Sequence, residues 1–136
     1  DMWNGDFSKI PFGLPGIETL LPAVYTYGVQ QGRFDLNHFV TLISTNPAKL
    51  MGLYPKKGEL CAGSDADVII VDPKKSKTID YKNLAHNCDW SPYQGMRMSG
   101  FPDFTICRGK VIVEDGEFAG KPGYGKFIKR KPFGEI

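Results

Sequence analysis

Histidine is almost absent from this 136-residue chain, with only His38 and His86, one in each half of the sequence. Neither stands in a recognisable metal-binding motif, so neither is expected to ligate metal. His38 reads as a helix-surface residue and His86 as a loop residue. Cysteine is scarce too: Cys61, Cys88 and Cys107 form no C-x-x-C pair, which excludes a zinc ribbon and a disulfide framework. All three read as free thiols. Cys107, within an apolar strand pattern, and Cys61, beside one, are expected as packed thiols without an activating base. Long apolar runs are missing, the longest being Val68 to Val71, far short of the ~18 residues of a membrane span. With no charged-then-apolar leader segment at its start, the chain is expected to be cytoplasmic, with no membrane partner.

What the chain does have is glycine (16) and proline (10), so much of its backbone is turn and loop. Its 41% hydrophobic and 24% charged residues fit a folded globular chain. The net charge of +2 is uneven. Lys121, Lys126, Lys129, Arg130 and Lys131 outweigh Glu135 in the tail and leave the body mildly acidic. Those cations alternate with Tyr124, Phe127 and Phe133, a pattern shared with single-stranded nucleic-acid platforms. A short basic arm is more commonly solvated or subunit-bridging, so no nucleic-acid partner is expected.

The first third is helical in pattern. Pro22 suits a first helical position and Gly32 a stop, giving a helix over about 22–31. Asp35 reads as an N-cap, with Leu36, Phe39, Val40 and Ile43 as the apolar stripe of a second helix. Asn46 as N-cap and Pro47 at the first position open a third, ending at Gly52. Past Gly52 the pattern turns extended. Asp67–Asp72 reads as a doubly covered strand. Phe104–Cys107 and Val111–Glu114 flank a glycine-containing hairpin turn, and Asp115-Gly116 makes a second. Between them, 81–101 reads as a long connection with one strand at most. The fold class is α+β.

Five blocks go further: Lys9 to Glu18 (KIPFGLPGIE), Ser44 to Lys49 (STNPAK), Gly52 to Gly58 (GLYPKKG), Gly63 to Asp67 (GSDAD) and Gly120 to Gly125 (GKPGYG). In this order and spacing the chain resembles the C-terminal part of the dihydropyrimidinase and D-hydantoinase family, cyclic amidases of the amidohydrolase superfamily. The resemblance implies a (β/α)8 barrel joined to a small β-sandwich. A barrel needs about 250 residues, so this chain would be a fragment. Residues 1–52 would be the last helices of the barrel, 53–118 the C-terminal strands of the sandwich, and 119–136 an extended arm over the body or a neighbouring subunit. The implied reaction opens dihydropyrimidines or 5-substituted hydantoins to N-carbamoyl amino acids. Two zinc ions would serve it in the full-length protein, none of them held here, and the fragment alone would be inactive. The family also implies a homo-oligomer, dimer or tetramer.

For site residues the resemblance points to Phe12, whose main-chain groups would bind the cyclic amide. The family usually has Asn there, which leaves the backbone contact possible but alters the pocket wall. No catalytic or metal-binding residue is expected in this chain. Asn46 reads as structural. Non-catalytic scaffold relatives and allantoinase-like amidases are the alternatives; Pro47, where the scaffold relatives usually carry Ala, and the stop at Ile136 favour the bacterial-type enzyme.

Overall fold

The computed structural model describes residues 5–10 and 12–132. A 3-10 turn at Phe7–Lys9 leads to two helical rods. In the first, α1 at Ile17–Val24 runs directly into a π-type helix at Tyr25–Gln30. The second joins α2 at Leu36–Val40, a π-type stretch at Thr41–Thr45 and α3 at Asn46–Leu50.

Both proline assignments need correction. The first helix begins at Ile17 rather than about residue 22, and Pro22 lies inside it. Its N-cap, Gly16, offers no side-chain bond, so the sequence lacked the usual polar start signal. Asn46 is no N-cap either. Its backbone is helical, at φ −65° and ψ −45°, and its N–H bonds back to the Thr41 carbonyl across a wide π turn. That widened turn lies just ahead of Pro47, where a regular helix would suffer the ring clash and lose a ladder bond. The three expected helices are therefore two rods. Other signals held: the Asp35 carboxylate accepts the His38 N–H at 2.8 Å, and Gly52 (φ +65°) ends the second rod.

Six strands follow: β1 Val68–Val71, β2 Ser76–Thr78, β3 Arg97–Ser99, β4 Pro102–Cys107, β5 Lys110–Glu114 and β6 Glu117–Phe118. They form an antiparallel sheet in the order β1-β4-β5-β6 and a separate β2–β3 pair. Both expected tight turns are present. Arg108-Gly109 and Asp115-Gly116 each place two consecutive residues at positive φ, the geometry of a type I′ hairpin turn. The one strand allowed within 81–101 is β3. β1 differs from expectation: it is an edge strand whose Ile69 and Ile70 are both exposed, because among the described residues no layer covers them.

The buried apolar cluster joins elements distant in sequence. Ile79, Met98 and Phe101 form it, with Ala23 and Tyr27 of the first rod and Leu84, Tyr93 and Met96 packed around. Thr26 locks rod to strand by donating to the Ser99 carbonyl (3.2 Å) and accepting the Ser99 N–H (2.9 Å). At Gly100 (φ +87°) a Cβ would stand 2.7 Å from the Tyr25 ring, so glycine permits this close approach.

Candidate functional site

The Phe12 loop runs from the 3-10 turn to α1. Upstream, the Asp6 carboxylate accepts from Ser8 Oγ (2.6 Å) and the Ser8 N–H (3.1 Å). These bonds hold Asp6 below the usual carboxylate range, the Ser8 hydroxyl contributing most. Downstream, Thr19 is fully buried, and Glu18 Oε2 accepts the Ala85 N–H at 2.6 Å. Between these anchors the chain turns through Gly13 at φ +83°. The Phe12 ring is fully exposed, as are most of Phe7, Leu14 and Ile17. Among the described residues, neither the N–H nor the C=O of Phe12 has a hydrogen-bond partner. Pro11 lies outside the described residues.

A free backbone N–H beside a free C=O can recognise a group that offers one acceptor and one donor, as a ring amide does. It cannot activate water. Among the described residues the loop itself, Phe12 to Gly16, carries no nucleophilic or ionisable side chain.

The two histidines sit apart. His38 is exposed on α2, its ring stacked on Phe34 at 5.4 Å between centroids. His86 lies half-buried in the long connection, its Nε2 buried without a hydrogen-bond partner among the described residues. No group of three or more His, Cys, Asp or Glu side chains is placed to hold a metal ion among the described residues. The residues present thus do not fit the dinuclear centre that the resemblance implies.

The thiols are all free. Cys107 is partly buried as expected, whereas Cys61 is exposed, because it lies in a surface turn ahead of β1. There Cys61 donates to Glu59 Oε1 (3.0 Å) and Tyr54 Oη to Glu59 Oε2 (2.7 Å). The two bonds lower the Glu59 carboxyl pKa, that from Cys61 most, and the bond to Glu59 raises the Tyr54 phenol. Among the described residues no histidine, lysine or arginine is hydrogen-bonded to the Cys61 thiol.

Sequence reading missed how the arm is fastened. The Tyr124 ring lies between Arg108 (4.2 Å from its guanidinium carbon) and Lys110 (5.2 Å), while the Arg108 guanidinium donates to the Tyr124 carbonyl. The Arg108 N–H reaches Asp67 Oδ1 at 2.8 Å. Further along, the Lys131 N–H donates to the Gly52 carbonyl at 2.9 Å. The arm therefore crosses its own body. Phe127 is exposed, and Phe133 lies outside the described residues.

Comparison with known proteins now adds to this geometry. The amidohydrolase family matches residues 16–112. D-phenylhydantoinase of Escherichia coli O1:K1 / APEC is 47% identical over 130 residues, covering 96% of this chain and 28% of the relative. A D-hydantoinase crystal structure matches with a TM-score of 0.92 and 44% identity, over 97% of this chain and 29% of its own. The dihydropyrimidinase structure from Brevibacillus agri NCHU1002 matches with a TM-score of 0.92 and 38% identity, over 96% and 28%. The chain belongs to the amidohydrolase family, and its α+β fold is that of one segment of these hydantoinase structures. It spans less than a third of the length of the relatives it matches.

Proposed function

We propose that the protein is the C-terminal part of a metal-dependent cyclic amidase, opening dihydropyrimidines or 5-substituted hydantoins to N-carbamoyl amino acids. The observation that carries this reading is the 47% identity to a D-phenylhydantoinase across nearly the whole chain, joined to a backbone match at TM-score 0.92. Residues 1–52 then close the barrel, 53–118 supply sandwich strands and 119–136 form the arm. The two zinc ions and every residue that holds them lie outside this chain, which by itself is inactive.

The role of this chain in the reaction is positioning. The Phe12 N–H and C=O pair with the ring amide and orient its reacting carbonyl, while the exposed apolar side chains of the loop face the substituent. An unpaired buried polar group costs about 1–3 kcal/mol, which makes such pairing selective for the cyclic amide. The full-length protein is a cytoplasmic homo-oligomer, dimer or tetramer, in this reading. The test is to express the complete reading frame, count metal ions per chain and assay ring opening of dihydrouracil and phenylhydantoin. About two metals per chain with ring-opening activity is the expected result. A metal-free, inactive oligomer would turn the reading to the non-catalytic scaffold branch.

A further inference from the structure

We infer that Glu18 is a positioning residue for substrate recognition, an inference resting on the role proposed for the Phe12 loop: its bond to the Ala85 N–H fixes that loop relative to the buried core. Glu18 stands in the first turn of α1, and its Oε2 accepts the Ala85 N–H at 2.6 Å across 67 positions of sequence. Ala85 is a fixed point. The residue before it, Leu84, ends a 3-10 turn at Tyr81–Asn83 and packs against the cluster of Ile79, Met98 and Phe101.

Further along the same rod, Ala23 and Tyr27 meet that cluster too. The rod is therefore held by packing at one end and by a charge-assisted bond at the other. From Glu18 to Phe12 the path is short. The Gly16 carbonyl accepts from the Leu20 N–H (2.9 Å) and from Oγ1 of Thr19 (3.3 Å), which ties the end of the loop to the first helical turn. The loop has little packing of its own, since the side chains of Phe12, Leu14 and Ile17 are exposed. A segment with few buried apolar contacts opens easily unless something polar holds it. At the start of α1 that hold is the bond from Ala85.

The test uses the full-length protein and two readouts: hydrogen exchange over residues 12–20 and the kinetics of ring opening of dihydrouracil and phenylhydantoin. Glu18→Ala should speed exchange in that segment and raise KM about threefold or more with kcat little changed, because the Phe12 contacts bind ground and transition states alike. Ala85→Pro deletes the donor instead, and Leu84, at φ −94° and ψ 148°, already has the backbone that precedes a proline. Its KM should rise as in Glu18→Ala, and the double variant should show no further rise. Glu18→Gln keeps an acceptor at the same reach and should be milder than Glu18→Asp, which keeps the charge but is one methylene short. Circular dichroism verifies that each variant is folded. The reverse order, Asp milder than Gln, would mean that negative charge at the helix start matters rather than the bond, and overturns the inference. So does unchanged exchange in Glu18→Ala, whatever the activity, or a fall in kcat with KM unchanged. A wild-type protein that opens neither ring overturns the amidase reading and the loop's substrate role with it, whereas faster exchange in Glu18→Ala would still establish the tether.

Discussion

The first helical rod with the β2–β3 pair and the four-stranded sheet are organised by different forces. The rod and pair enclose Ile79, Met98 and Phe101 and fasten Thr26 to Ser99. The sheet contains no buried residue: all of β4 is half-buried, and β5 alternates only between half-buried and exposed. What binds the sheet to its surroundings is largely polar. Lys57 bridges Asp65 and Asp67 beneath the Arg108 turn, and Lys75 joins Asp103 and Asp115 across the other end. A sheet face is stable when another layer covers it. One region is thus a small core in its own right, and the other is a sheet fastened at its two ends by ion pairs.

The sharpest way to break this comparison is in the core. Met98→Ala removes a fully buried side chain and should destabilise the chain by about 2–5 kcal/mol in urea unfolding. Ile106→Ala, in half-buried β4, should have a clearly smaller effect. Equal losses would show that the sheet has a core of its own. Hydrogen exchange should agree, with the Met98 amide protected longer than that of Ile69 on the open edge.

Phe12→Pro, made in the full-length protein, tests the recognition role proposed for its loop. It deletes the one backbone donor, so KM should rise about fivefold or more, whereas Phe12→Ala should change KM little. Similar KM values for the two would remove the backbone from substrate recognition.

Acid should separate the two regions next. Lys57 and then Lys56 hold Asp65 below the ordinary carboxylate value of 3.8, and Lys75 does the same for Asp103. Burial alone would raise Asp67, but Lys57 and the Arg108 N–H outweigh it and the carboxyl stays low. Carboxyls lowered on folding contribute stability above pH 3.8 that is lost as the pH falls through their folded values. The Asp103 and Asp115 partners raise Lys75 above 10.5, so its contribution holds below that pH and fades above its folded value. Amide signals of β1 and β4 should therefore loosen below pH 3.8 before those around Met98. Simultaneous loss would contradict the division.

The smallest effect concerns Asn46. As an N-cap its replacement by Ala would cost about 1 kcal/mol; as a helix-interior residue it should shift stability by no more than about 0.5 kcal/mol. Thermal unfolding of Asn46→Ala distinguishes the two.

The legible parts of the fold were those written locally. Arg108-Gly109 and Asp115-Gly116 announce their turns because few residue pairs accept two left-handed positions, and Asp35 announces its helix by bonding a backbone N–H three residues on. The rods were misread where proline suggested a beginning: Pro22 lies inside α1, and Pro47 follows a π-type turn that continues the second rod. The core was not legible, since Ala23 and Tyr27 meet the cluster of Ile79, Met98 and Phe101 through packing that no short window of sequence encodes. At the loop, the sequence pointed to Phe12 only through resemblance. The anchoring bond from Ala85 to Glu18 spans elements that nothing in the pattern joins.

The two type I′ turns are alike in backbone and unlike in freedom to change. At Arg108 the peptide N–H, the guanidinium and the strand beside it are all engaged, by Asp67, by Tyr124 and by the arm. Asp115 has an exposed side chain and a single ion pair to Lys75 beyond its backbone bond to Asp103. A peptide grafted between Asp115 and Gly116 would project into solvent, whereas one grafted between Arg108 and Gly109 would unfasten the arm. For anyone wishing to display an epitope or a label on this scaffold, the open door of the two hairpins is the second.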